Sequence, residues 1–109
     1  MDDYVPSEGE IIWLNFTPQS GHEQAGHRPA VVLSPAAYNR IGLLLCCPTT
    51  TKAKGYPFEV AISGKRLSVV LADQIKSVDW KTRGAKRKGR VSDEELSEIR
   101  AKARALIGT

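Results

Sequence analysis

No apolar run in the 109 residues approaches the ~20 needed to cross a bilayer, so no membrane association is expected. The opening Met1-Asp2-Asp3-Tyr4 is acidic and lacks the basic-then-apolar layout of a signal peptide, which points to a cytoplasmic protein. There is no Walker loop, no dinucleotide glycine pattern and no Gly-x-Ser-x-Gly elbow. Cysteine is confined to the adjacent pair Cys46-Cys47. Neighbours on a strand point to opposite faces, so a disulfide between them needs a distorted backbone; two reduced cysteines packed as small hydrophobes are expected. His22 and His27 have no further Cys or His nearby to complete a zinc site, so neither metal nor cofactor is expected. Internal repeats and low-complexity tracts are also missing, and residues 1–109 read as one domain.

What is present is an uneven charge. The net charge is +4, yet Lys81, Arg83, Lys86, Arg87, Lys88 and Arg90 fall in one stretch, 81–90, that holds no acid. Such a cluster suits a polyanion, nucleic acid first. A solvated basic loop is the competing reading.

Residues 10–16 alternate as a strand, with Ile12, Leu14 and Phe16 on one face and Ile11, Trp13 and Asn15 on the other. A second strand is expected over 30–34, closed by Pro35, and a third over 41–47, ended by Pro48. A fourth covers 57–62 and a fifth 68–72, with 74–78 continuing the sheet beyond Asp73. The last element is a helix. Ser92 and Glu95 form a capping box, Asp93 and Glu94 favour the positive end of the dipole, and Gly108 supplies the stop. Leu96, Ile99, Ala103 and Leu106 make its apolar stripe. Short strands and one terminal helix imply a small, strongly bent sheet or barrel.

Three polar loops, 21–28, 49–55 and 73–74, lie between these strands, and closure of a barrel would gather their ends. Arg28 stands where a polar approach meets a rigid strand. Its planar fork fits a phosphate clamp, and it fits equally a structural ion pair at a strand start. Thr50 belongs to a threonine triplet that reads as a solvated strand end or a site. Glu23 is a candidate base or simply an exposed loop carboxylate. Trp13, Trp80, Tyr56 and Phe58 offer faces for stacking on bases, although Trp13 and Phe58 also suit a core or an interface.

Gly9-Glu10-Ile11-Ile12-Trp13, the run from Glu23-Gln24-Ala25-Gly26-His27-Arg28-Pro29 through Ala30-Val31-Val32-Leu33-Ser34-Pro35, Thr50-Thr51 followed by Lys54-Gly55-Tyr56-Pro57-Phe58-Glu59-Val60, and Leu71-Ala72-Asp73-Gln74 closely resemble the MazF (PemK-like) toxins. The similarity covers nearly the whole chain, with the motifs in the family's order. It implies a mostly β, SH3-like small barrel with a C-terminal helix, the fold of the CcdB/PemK-like plasmid maintenance toxins, working as a homodimer. It implies an endoribonuclease that cuts single-stranded RNA at short motifs, around ACA in similar relatives, without a metal. It also implies an acidic MazE-like antitoxin whose partly disordered C-terminal segment blocks the RNA path.

The family's catalytic arginine and threonine carry over to Arg28 and Thr50, and its loop glutamate to Glu23. Asp73, with Gln74 and His27, is carried over as catalytic or RNA-binding. Lys52, Lys54, Lys81, Arg83, Lys86 and Arg87 are assigned to the RNA backbone, where contacts are salt-dependent and carry little sequence information. Two rivals stand beside this reading: a gyrase-binding toxin of the same fold, and a nucleic-acid-binding barrel without catalysis.

Overall fold

Both faces of the first strand are buried, and that fact sets the architecture. The computed structural model describes residues 4–16, 26–64 and 67–108. On β1 (Glu10–Asn15), Ile12 and Leu14, with Phe16 just beyond, enter one core cluster with Val32, Leu44, Cys46, Val78 and Trp80. Ile11 points the other way, into a second cluster with Val31, Cys47, Val60, Val70, Leu96 and Ile99. The expected alternation is therefore present, with a core on each side.

The remaining elements are β2 (His27–Val32), α1 (Ala36–Asn39), β3 (Leu43–Thr50), β4 (Glu59–Ile62), β5 (Ser68–Leu71), β6 (Lys76–Asp79), β7 (Lys86–Arg90) and α2 (Asp93–Ile107). Among the described residues the strands form a seven-stranded sheet in the order β4-β5-β3-β2-β1-β7, with β6 also paired to β3. Every pairing is antiparallel. The hub is β3. It holds β2 on one side over residues 46–48; β6 pairs with residues 43–46 and β5 with 49–50. The sheet curls into a half-barrel closed by α2, the mostly β fold that was expected.

Several boundaries differ from the sequence reading. Pro48 does not end β3; it pairs with Ala30 and the strand continues to Thr50. Pro48 falls between the β6 and β5 ladders, where a residue without an N–H costs the sheet least. The second strand begins earlier, at His27, so Arg28 lies within it. The residues 86–90, read as a basic stretch, are an edge strand on β1, where lysine and arginine discourage pairing with another chain. The short α1 was not foreseen.

Around α1 sits a buried polar knot. The Ser34 hydroxyl donates to Asn39 Oδ1 at 2.6 Å, and Asn39 Nδ2 donates to the carbonyls of Pro6 and Ser34. Trp80 Nε1 donates to the Asn39 carbonyl at 2.8 Å, tying the end of β6 to α1.

The helix behaves as its cap predicts. The Ser92 hydroxyl accepts from the Glu95 N–H, and the Glu95 carboxylate accepts from the Ser92 N–H. Leu96, Ile99 and Ala103 are buried against the sheet, each large aliphatic worth about 1.5–3 kcal/mol. Leu106, expected in the stripe, is 59% exposed, in a last turn whose residues 104–107 are all exposed. Gly108 stops the helix at φ 95°, a conformation glycine tolerates.

Candidate active site

The ends of β1, β2, β3, β4, β5 and β7 enclose a cleft of about 570 Å³. Its walls are Ile11 and Trp13 from β1, Arg28 and Pro29 from β2, and Thr49, Thr50 and Thr51 from β3 and its end. Ile62, Ser63 and Gly64 follow β4, Ser68 opens β5, and Lys88 comes from β7. The described lining thus carries two cations and no carboxylate, a field suited to a phosphate.

The register brings Arg28 and Thr50 together. The β2–β3 ladder ends at Ala30 opposite Pro48; continued outward, the same register would set Pro29 against Thr49 and Arg28 against Thr50, and all four residues line the cleft. Pro29 has no N–H to give a ladder, and its carbonyl instead accepts the Thr49 hydroxyl at 3.0 Å. Thr50 is 8% exposed, and its Oγ1 accepts the Lys52 N–H at 3.1 Å. Arg28 is half-buried. Its guanidinium offers a planar fork of donors.

Trp13 is the aromatic wall of the cleft. His27, exposed on the neighbouring strand, stacks on it with ring centroids 5.4 Å apart and planes inclined at 28°. Lys88 Nζ lies 5.7 Å from the centre of the Trp13 ring.

The other expected site residues scatter. Glu23 lies outside the described residues. Asp73 and Gln74 follow β5 and do not line the cleft; partial desolvation, with repulsion from Glu59, raises the Asp73 carboxyl above its ordinary range. Lys52 and Lys54 are exposed on the segment after β3. There the backbone N–H groups of Lys54 and Gly55 donate to the Glu59 carboxylate at 3.0 Å, clamping the segment. Lys81 sits over Trp80, and Arg83 donates to the Asn15 carbonyl at 2.9 Å. Lys86 stands opposite Trp13 in register, whereas Arg87 stands opposite Ile12 and pairs with Glu10 at 2.9 Å. From sequence Lys88 was read only as one of the cations of the basic stretch 81–90 suited to a nucleic-acid backbone, with no place of its own in the site. The usable signal was a lysine two residues from Lys86, which a strand would place on the face of Trp13.

The comparisons agree with one another. Residues 7–107 match the family described as PemK-like, MazF-like toxin of type II toxin–antitoxin system. The chain is 59% identical over 107 residues to the endoribonuclease toxin MazF of Escherichia coli K12, covering 96% of each chain. It is 38% identical over 106 residues to the endoribonuclease toxin ChpB of the same organism, covering 91% of each. A crystal structure of MazF (form I) from Deinococcus radiodurans superposes with a TM-score of 0.94 at 52% identity, over 98% of this chain and 100% of that one. The MazE–MazF complex (form II) from the same organism gives 0.86 at 46% identity, over 98% and 99%. The chain belongs to the PemK-like, MazF-like toxins of type II toxin–antitoxin systems.

Proposed function

We propose that this chain is a cytoplasmic toxin endoribonuclease that cuts single-stranded messenger RNA at short motifs centred on ACA, needing no metal, and so halts translation and growth. The observation that carries this reading is the cationic cleft that Arg28 and the nearly buried Thr50 line together.

In the proposed reaction the ribose 2′-oxygen attacks the adjacent phosphorus while its proton passes to a base. The bond from phosphorus to the 5′-oxygen breaks, and that oxygen takes up a proton. The products are a 2′,3′-cyclic phosphate and a 5′-hydroxyl. The step requires a proton acceptor, a proton donor and stabilisation of the phosphorane oxygens, all of which side chains can supply. Arg28 is a poor base because a guanidinium offers donors and no acceptor, and a good stabiliser because its fork binds two oxygens. Its N–H groups also hydrogen-bond the leaving oxygen as charge builds there, and that oxygen takes its proton from solvent water. Thr50, held in a nearly buried position, orients the phosphate through its hydroxyl. Glu23 is the proposed base, since a carboxylate accepts the 2′ proton and its pKa responds to burial.

An acidic, partly disordered MazE-like segment suits the same cationic cleft, folding as it binds and covering the RNA path. The crystallised MazE–MazF complexes of the Deinococcus relative support such a partner. A homodimer is proposed with it.

The test is incubation of purified protein with a long RNA in excess EDTA, beside Arg28→Ala. Discrete bands from the wild type alone, ending in cyclic phosphate, are expected. Intact RNA with both proteins, each correctly folded, overturns the reading.

A further inference from the structure

Lys88 is the extra residue of a β-bulge. On β1, Ile11 pairs with Gly89 and Ile12 with Arg87, which leaves Lys88 without a ladder partner of its own. Bulges bend a strand and re-aim its side chains. Here the result is an ammonium delivered to the mouth of the cleft and set over the face of Trp13. Two neighbouring cations of β7, Arg87 and Arg90, are engaged elsewhere. Arg87 pairs with Glu10, and Arg90 pairs with Asp93 and the Glu8 carbonyl. Among the described residues no carboxylate pairs with Lys88. The other neighbour of Trp13 is the exposed His27, the residue immediately before Arg28.

We propose that Trp13, His27 and Lys88 form a nucleotide subsite, in which a base flanking the cut stacks on the aromatic pair and its phosphate binds Lys88. This rests on the ribonuclease reading for its substrate. Trp13 pairs in register with Pro29, next to Arg28, so a nucleotide held there is one step along the strand from the phosphate at Arg28 and Thr50. An ammonium poised over an aromatic face is held by the ring quadrupole alone and can swing to a phosphate when a base arrives. Aromatic faces alternating with cations match the repeat of base and phosphate in a single strand, and stacking accepts any base. An acidic peptide would use the cations and leave the ring pair without a partner.

The experiment separates binding from cleavage. A short single-stranded oligonucleotide carrying ACA, with deoxyribose throughout, has no 2′-hydroxyl and cannot be cut. Its affinity is measured across a salt series for wild type, Lys88→Ala, Lys88→Arg and Trp13→Phe, each checked for an unchanged thermal melt. Lys88→Ala is expected to bind several-fold more weakly and to lower the salt slope by roughly 0.7, one single-strand phosphate contact. Lys88→Arg should restore both. Quenching of indole fluorescence on binding should be present in wild type and lost in Trp13→Phe. With cleavable RNA, Lys88→Ala should raise KM more than it lowers kcat.

Equal affinity and equal slope for wild type and Lys88→Ala overturn the subsite, and RNA cleavage by the wild type then still supports the nuclease. Loss of binding to an acidic antitoxin peptide, with oligonucleotide binding intact, also overturns it and makes Lys88 an antitoxin contact. Binding that depends on Lys88 in a protein that cuts no RNA upholds the subsite and removes the nuclease reading.

Discussion

The Thr49 hydroxyl donates to the Pro29 carbonyl at 3.0 Å, and this bond separates the roles of the threonines. With Thr49 committed to the backbone of β2, the next residue, Thr50, is the nearly buried hydroxyl that shares the cleft with Arg28. Thr49→Val and Thr50→Val should therefore differ in kind. Each removes one hydrogen bond, worth about 1 kcal/mol, so the two melts should lie close together. RNA cleavage should fall roughly ten- to a hundredfold in Thr50→Val and only slightly in Thr49→Val, with Thr50→Ser retaining most of the rate. Equal losses of cleavage in both variants would remove Thr50 from the proposed mechanism.

Arg28 bears the larger share of that mechanism. Arg28→Ala is expected to lower kcat by roughly a hundred- to a thousandfold, about 3–4 kcal/mol, with little change in KM for a long RNA. Arg28→Lys keeps the charge and loses the fork, so it should recover only part of the rate. Single-turnover cleavage, which isolates the chemical step, decides this; full activity in Arg28→Lys would make charge alone sufficient.

Much of this arrangement was legible before any coordinates. The alternation in β1 and the box formed by Ser92 and Glu95 are local signals, and both appear as expected. Arg28 and Thr50 were visible through the family motifs, but their juxtaposition depends on the register of β2 and β3, which no local pattern records. The signals that misled were also local. Proline usually closes a strand, yet Pro48 is accommodated between two ladders. The segment Lys86–Arg90 has no apolar alternation, and it becomes a strand only because β1 offers an edge. The bulge that places Lys88 is a property of that pairing and has no sequence signature of its own. Four residues of α1 are too few to show a helical period.

Asn39 should prove essential to the fold while taking no part in catalysis. It is fully buried, and its side chain satisfies the Ser34 hydroxyl and two carbonyls. Asn39→Ala strands those groups away from water, a loss of roughly 2–4 kcal/mol. Thermal denaturation should show the midpoint lowered by roughly 10 °C or more. A shift of only a degree or two would mean that the knot can rehydrate.

Cys46 and Cys47 should be inert in the native protein. Burial pushes both thiols up to about 12, with Cys47 adding repulsion at Cys46 and Asp73 at Cys47. Few thiolates then exist at pH 8, and the side chains lie in separate cores. Iodoacetamide should label neither residue in the folded protein and both in denaturant. Rapid labelling of either one under native conditions would show that its core opens locally.

Acid should destabilise the fold through two carboxylates in particular. Burial alone would raise Glu10, but the Ser7 N–H, the Tyr4 hydroxyl and Arg87 bind its carboxylate and hold it below the ordinary 4.5. At Glu95, burial is likewise outweighed, here by hydrogen bonds from Ser92 and Ser63. A carboxyl lowered in the folded state contributes stability that is present above about 4.5 and disappears as pH falls through the lower folded value. Glu95 is half-buried, so solvent screening limits its contribution, whereas Glu10, whose side chain is 12% exposed, carries the larger share. The melting temperature of the wild type should therefore hold steady from pH 7 to about 5 and fall below 4.5. Glu10→Gln with Glu95→Gln should melt lower at pH 7 and lose less on acidification, so that the two curves converge as pH falls below 4.5. Parallel curves over that interval would assign the acid sensitivity to other carboxylates.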